Sequence, residues 1–277
     1  KGYELSVNWR DRIHDFRYHI GFNLAYAKNK IVFQDEVPYP YDYMRKTGKP
    51  VGQQMGYKYD GFFSEEDVAK YETERGKSIP DHGTGYIPKP GDVKYKDLNN
   101  DHKIDQYDVA AIGYPVYPLL TGGINLGFSY KGFDFSMTWS GATKVSRLLD
   151  DIFREPFGAT DSRSLMKYMI DDMWTPEKGN SAKAPAISFT NKVNNYRDSD
   201  LWLRDASYLR LKNVEIGYNF PKKILSKINI GSLRVFATGY NLLTLDKLKI
   251  VDPESRPNGN AMYPVVMVIN MGLKVGF

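Results

Sequence analysis

Tyr263-Pro264-Val265-Val266-Met267-Val268-Ile269-Asn270-Met271-Gly272-Leu273-Lys274-Val275-Gly276-Phe277 alternates along its whole length. Tyr263, Val265, Met267, Ile269, Met271, Leu273, Val275 and Phe277 share one parity. Pro264, Val266, Val268, Asn270, Gly272, Lys274 and Gly276 share the other. Successive side chains of a strand point to opposite faces, so one face here is wholly apolar. Globular strands usually run ~5–6 residues, whereas a tilted strand that crosses a bilayer takes ~9–11. The stretch is long enough to cross and is apolar on the face that lipid would touch.

The same period of two recurs upstream. Tyr3, Leu5, Val7 and Trp9 alternate with small or polar residues. Phe16, Tyr18, Ile20, Phe22, Leu24 and Tyr26 alternate with Asp15, Arg17, His19, Gly21, Asn23 and Ala25. Such alternation predicts strands that are dry on one face and wet on the other. Ile124–Tyr130 and Phe133–Trp139 form two more, joined by a turn at Lys131-Gly132. A fifth runs from Ser207 to Phe220 and changes phase near Lys212-Asn213, as a bulge would make it do. Leu233–Leu243 is a sixth, with weaker alternation, and the terminal stretch is the seventh.

The connections have a parity of their own. Residues 10–14, 131–132 and 221–231 are short. Residues 29–118, 143–204 and 244–262 are long. Transmembrane barrels join strands by short turns on the periplasmic side and long loops on the extracellular side. This pattern predicts extracellular loops at 29–118 and 143–204 and a periplasmic C-terminus. Ser64 before Glu65, Glu66 and Asp67 reads as an N-cap with an acidic first turn, predicting a helix over 65–75. Leu165, Tyr168, Met169 and Met173 recur at helical spacing and predict another over 164–174.

Bulk properties agree with a barrel without requiring one. The chain has 277 residues, 42% hydrophobic content and mean hydropathy −0.50. No run reaches the ~20 apolar residues of a membrane helix, and averages hide a barrel because its two faces cancel. The 21 tyrosines suit an interfacial girdle, among other uses. With no cysteine there is no disulfide, thiolate metal site or cysteine nucleophile. The net charge of +5 comes without a dense basic run, which argues against nucleic acid. Lys1-Gly2-Tyr3 leads straight into a strand pattern without a signal peptide, so the chain is expected to start inside a longer protein. Seven strands do not close a bacterial barrel, which has an even number, so a strand or the rest of the barrel lies elsewhere.

One segment has the spacing of a metal site. Asp97, Asn99, Asp101, Asp105 and Asp108 occupy positions 1, 3, 5, 9 and 12 of an EF-hand-like loop, with the Lys103 carbonyl at position 7. That set predicts structural Ca²⁺. His102 stands where the loop normally has Gly, and Asp108 is shorter than the usual Glu. The alternative is an Asx-rich turn without metal. The acidic pairs Asp150-Asp151 and Asp171-Asp172 read as solvated helix ends, not as opposed glycosidase carboxylates ~5–10 Å apart. His14, His19, His82 and His102 show no metal-ligand spacing, and no catalytic site is predicted. Tyr39, Tyr41, Tyr43, Tyr57, Tyr59, Phe62 and Phe63 could stack on sugars, pack a loop or meet a partner.

Several blocks are similar to one family. They are Asp92–Asn99 with Ile104-Asp105, Asp108 and Ile112-Gly113; Tyr130–Ser136; Trp174–Glu177; Ser207–Asn213 with Gly217-Tyr218 and Pro221; Leu233–Val235; Asn241–Thr244; Asp252–Glu254; and Tyr263-Pro264. In this order the chain resembles the C-terminal part of a SusC/RagA-type TonB-dependent outer-membrane transporter. The resemblance implies an all-β fold, about seven or eight strands of an antiparallel transmembrane barrel of about 22. It implies import of oligosaccharide or peptide across the outer membrane of a Gram-negative bacterium. It implies, as partners, a SusD-like surface lipoprotein, the remaining barrel and plug, TonB and the lipid bilayer. Phe277 resembles the terminal aromatic read by the barrel-assembly machinery, or is simply the last lipid-facing residue. The competing reading from another class is a soluble, calcium-stabilised β-sandwich that binds carbohydrate.

Overall fold

Ile13 and Phe16 face one another across a two-residue turn, His14-Asp15, and start the first hairpin. The computed structural model describes residues 1–157, 164–255 and 265–277. Its long strands are β1 (Gly2–Ile13), β2 (Phe16–Ala27), β3 (Leu120–Tyr130), β4 (Phe133–Thr143), β5 (Tyr208–Asn219), β6 (Ser232–Asp246) and β7 (Val268–Gly276). They form one seven-stranded sheet in chain order, and every neighbouring pair is antiparallel. This is an all-β antiparallel meander with few short helices.

The register keeps each parity on its own face. Trp9, Ile20, Leu126, Met137, Val214, Gly239 and Ile269 follow one another across the sheet. The adjacent row, Arg10, His19, Gly127, Ser136, Glu215, Thr238 and Asn270, lies on the opposite face. Tyr3, Phe16, Phe22, Phe135 and Leu273 belong to the apolar face. Arg17, Asn23 and Lys274 belong to the polar one. The bulge falls where the phase change predicts it, between Leu211 and Asn213.

Other boundaries differ from the sequence reading, each for a physical reason. Asp15, expected on the polar face, sits in the turn, because pairing continues through Ile13. β3 starts at Leu120, since Gly122 and Gly123 are paired yet have no side chains to alternate. β6 runs on to Asp246, and Phe236 on the polar face blurs its pattern. Its ring lies where a Cβ on Gly272 would stand, 2.3 Å away. β7 is shorter than expected: Val265–Met267 are outside the ladder, and Tyr263 and Pro264 fall outside the described residues. Helix α1 (Glu65–Glu74) has the full capping box, Ser64 with Asp67. The helix expected over 164–174 is only Lys167–Asp172, because Met166 at its N-cap offers no capping oxygen.

The packed core lies in the connections. Phe62, Val93, Tyr95 and Ile104 from the first long connection pack with Val145, Leu149, Leu201 and Trp202 from the second and Leu248 from the third. The apolar sheet face is bare by contrast. Trp9 is 58% exposed, Ile216 53% and Leu273 64%. Among the described residues, no other long sheet is present to cover it.

Candidate functional site

Three features converge at the long-connection end of the polar face. The first is a buried polar lock between connections. His82 Nδ1 lies 3.0 Å from Asn194 Oδ1 across 112 residues of sequence. Asn195 Nδ2 donates to Asp92 Oδ1 at 2.7 Å, and the Val93 amide donates to Asn195 Oδ1 at 2.9 Å. Tyr95 Oη donates to the Asn194 carbonyl at 2.7 Å, and Trp202 Nε1 to the Asn195 carbonyl at 3.0 Å. Burial pushes the His82 imidazole down to about 4, only partly offset by its bond to Asn194. Burial, reinforced by the Asp92 charge, pushes the Tyr86 phenol up. Histidine here is a neutral wedge among the Phe63, Tyr86 and Tyr95 rings.

The second is an ionic clamp between the third connection and the sheet wall. Arg210 on β5 pairs with Asp252 and with Glu254, each at 2.6 Å. Lys212 also pairs with Glu254 at 2.6 Å, and Tyr208 Oη donates to it at 2.8 Å. Arg147 donates to Ser255 Oγ and to the Ser255 carbonyl. Two of the sequence blocks quoted above, 207–213 and 252–254, thus hold each other.

The third is the EF-hand-like loop. Asp97 accepts from the amides of Asn100 and His102, both at 2.7 Å. Asp101 accepts from Lys103 N at 2.9 Å, and Asn99 from Asp101 N at 3.1 Å. Asp105 accepts from Tyr107 N at 2.8 Å. Asp108 is fully buried and accepts from Leu98 and Asp105 amides at 2.7 and 2.9 Å. Burial raises the Asp108 carboxyl above its usual range. His102 takes the positive φ of 63° that Gly usually supplies at this position. Lys103 bridges to Asp81, which fixes the loop's central residue. The predicted residues are therefore brought into one loop, with their oxygens turned on backbone amides. Among the described residues, no three His, Asp or Glu side chains converge on a common metal position.

At the other end of the polar face, Arg234 lies between Asp134 at 2.5 Å and Glu215 at 2.6 Å. Gly217 opens that space: a Cβ there would stand 2.5 Å from the Arg234 guanidinium. Arg10, Arg12, Arg17 and His19 border a cavity of about 760 Å³ beside Asp134.

The remaining candidates separate cleanly. Asp150 and Asp151 pair with Arg147 and Arg154, and Asp172 lies 3.9 Å from Lys183. Phe62 and Phe63 are buried in the loop core, and Tyr59 packs edge-on against Phe62, so these are packing residues. Tyr39 lines an open groove of about 460 Å³ with Tyr107 and Met44. Tyr41 and Tyr43 stack beside it at 5.3 Å. His82, Asn194, Asn195, Arg210 and Asp252 escaped the sequence reading as a set. The nearest signal was the similarity of segments 207–213 and 252–254 to one family, which marks segments but not partners.

No family model matches the chain. Known proteins do. The chain is 29% identical over its whole length to TonB-dependent receptor P3 of Formosa agariphila, spanning 28% of that protein. It is 25% identical to TonB-dependent receptor SusC of Bacteroides thetaiotaomicron, spanning 26% of it. Its fold matches 29% of a chain in the structure of the RagAB peptide transporter, with TM-score 0.72 and 21% identity. The 'open-open' RagAB peptide importer gives TM-score 0.71. The chain thus spans little more than a quarter of the relatives it matches. Along its whole length the chain is similar in sequence to TonB-dependent receptors, SusC among them, and it has the fold of part of the RagAB transporter.

Proposed function

We propose that this chain is a wall segment of an outer-membrane, TonB-dependent nutrient importer of the SusC/RagA type. One observation carries the reading: a seven-stranded sheet with one continuous apolar face that nothing in the described chain covers. Burying such a face in hydrocarbon is favourable by about 25 cal/mol per Å². Among the described residues, the sheet's outer strands, β1 and β7, have free edges that would leave backbone groups unpaired in lipid. Further strands of the same barrel would satisfy them. The polar face then lines the lumen, and the long connections stand outside the cell. Its chemistry is binding and passage of oligosaccharide or peptide, with no bond made or broken. The plug and TonB act through parts of the transporter beyond this segment. The sandwich alternative requires a second sheet packed on the first, and among the described residues only two-stranded ribbons accompany it.

A SusD-like lipoprotein is the partner that the loops suit. Ile87, Phe189 and Val193 are 67, 75 and 84% exposed. Asn191 donates to the Ile87 carbonyl at 2.8 Å, which holds this part of the two loops side by side. A stable lid buries at least ~1,200 Å² in total, and this patch is its candidate contact. Changing Phe189 and Val193 to Ser in the intact transporter should reduce co-purified lipoprotein while the barrel still inserts. Undiminished recovery would move the contact elsewhere.

Ca²⁺ is the proposed ion of the 97–108 loop, held by Asp97, Asn99, Asp101, Asp105 and Asp108 with the Lys103 carbonyl. Each carboxylate oxygen keeps a lone pair beyond its amide bond, so the donor chemistry suits calcium. The primary test is fractionation. The native protein should sediment with outer membranes and need detergent to stay monodisperse. A soluble, monodisperse protein without detergent would overturn the membrane reading.

A further inference from the structure

On the apolar face, near the long connections, the sheet has a notch. Gly122 and Gly141 pair across β3 and β4. Their missing side chains leave a cavity of about 220 Å³ edged by Phe22, Leu24, Leu120, Ile124 and Leu209. Neither glycine is free to change. A Cβ at Gly122 would stand 2.9 Å from the Asn23 carbonyl oxygen, and one at Gly141 would stand 2.6 Å from that of Tyr208. Leu24 Cδ1 and Leu209 Cδ1 lean in from either side, 3.3 and 3.2 Å from where the two Cβ atoms would stand, and form the walls of the slot, with Leu209 still 41% exposed. Leu24 and Leu209 belong to strands three positions apart, roughly 14 Å at normal strand spacing.

The mouth of the notch is cationic. Lys144 follows Thr143, which edges the cavity, in a left-handed turn with φ 56°. Its ammonium lies 5.1 Å over the Tyr26 ring. Tyr26 pairs with Leu120 on the apolar face, so the charge stands at the outer rim of that face. An apolar slot below a tyrosine and a lysine matches an amphiphile with an acyl tail and an anionic head. Lysine and tyrosine both favour the level of membrane headgroups.

We infer that the Gly122–Gly141 notch is a binding site for one acyl chain of an anionic membrane lipid, whose phosphate meets Lys144. The inference rests on the membrane reading above. Bound lipid would be a fixed part of the wall, filling a void that freely moving tails fill poorly.

The test uses the native protein extracted from outer membranes in mild detergent, with retained lipid counted by native mass spectrometry. The delipidated protein is then offered vesicles of phosphatidylcholine alone, vesicles containing phosphatidylglycerol, or inorganic phosphate. The wild type should retain one phosphatidylglycerol and neither phosphatidylcholine nor phosphate. Lys144→Gln should weaken retention about fivefold, the ~1 kcal/mol of one lysine at a membrane surface. Leu209→Trp, which fills the slot and leaves the charge, should weaken it too. Equal retention by the wild type and both variants would overturn the site, as would equal retention of phosphatidylcholine. Phosphate binding without lipid would show a simple ion site and also overturn it. A protein that stays soluble without detergent would sink the membrane reading instead, so the two failures are distinguishable.

Discussion

Arg210, 1% exposed on the polar face of β5, holds Asp252 of the third connection at 2.6 Å, 42 residues away in sequence. The same guanidinium reaches Glu254, so the Asp252-Pro253-Glu254 turn is drawn against the polar face of the sheet. Pro253 fits because it removes one amide donor and fixes φ in the turn. Leu248, at 2% exposure, buries the turn's approach in the common core. The third connection is therefore fastened at both a charged and an apolar point.

Removing Arg210 should free that connection. Breaking a buried ion pair by deleting one partner costs ~3–5 kcal/mol, because the other charge stays behind. Arg210→Ala should make residues 247–255 sensitive to protease while the sheet stays intact. Asp252→Asn should do the same more weakly. Limited proteolysis of the inserted protein checks both, and unchanged protection in Arg210→Ala would mean that the apolar anchor suffices.

Met137 and Ser136 are neighbours on opposite faces of β4. Met137→Arg should destabilise the barrel by ~2–4 kcal/mol near the bilayer midplane, and Ser136→Arg by much less. Denaturant titration of each variant in lipid vesicles measures the difference. Equal costs would mean that neither face meets hydrocarbon.

His82 sets a pH dependence of the loop body. Its folded pKa of about 4 lies below the unfolded value of about 6.5. Below the unfolded value the unfolded chain therefore binds a proton that the folded one refuses. Stability is full above about 6.5 and falls as pH drops toward 4, by up to ~3 kcal/mol. Hydrogen exchange of the Val93 amide, which donates to Asn195, should speed up accordingly. His82→Phe should be less stable at neutral pH, with Asn194 Oδ1 deprived of its His82 partner, and should lose this pH dependence.

Calcium should tighten the 97–108 loop. Isothermal titration of the intact transporter is expected to show saturable binding that Asp97→Ala and Asp101→Ala abolish without unfolding the barrel. Calcium ligands lie at ~2.3–2.6 Å, so a metal-soaked experimental structure would locate the ion directly. No heat and no density at millimolar calcium would leave an Asx-rich turn.

The sheet was legible because period two is a local signal. Phe16 through Tyr26 alternates six times and needs no distant information. The bulge at Lys212 was legible for the same reason: a parity change shows within one strand. α1 was legible through the Ser64–Asp67 capping box, and the helix at Lys167–Asp172 was overdrawn because spacing alone does not supply a cap. The loop body was not legible. His82 is an ordinary histidine until Asn194 arrives from 112 residues away, and Asn194 gives no sign of burial in its own neighbours. Arg210 looked like one more polar-face residue of a strand. Nothing in its segment shows that Asp252 will bury it. The EF-hand-like residues were found by spacing, but spacing does not say that their oxygens first satisfy backbone amides.

The central claim is that one face of this sheet meets lipid and the other meets water. The chain has no cysteine, so single cysteines can be placed cleanly. Spin labels at successive positions from His19 to Leu24 in β2, in native membranes, would report accessibility to oxygen and to a water-soluble nickel complex. The account predicts alternation with period two: oxygen access dominates at Ile20, Phe22 and Leu24, and nickel access dominates at His19, Gly21 and Asn23. Uniform accessibility, or the opposite phase, would contradict it.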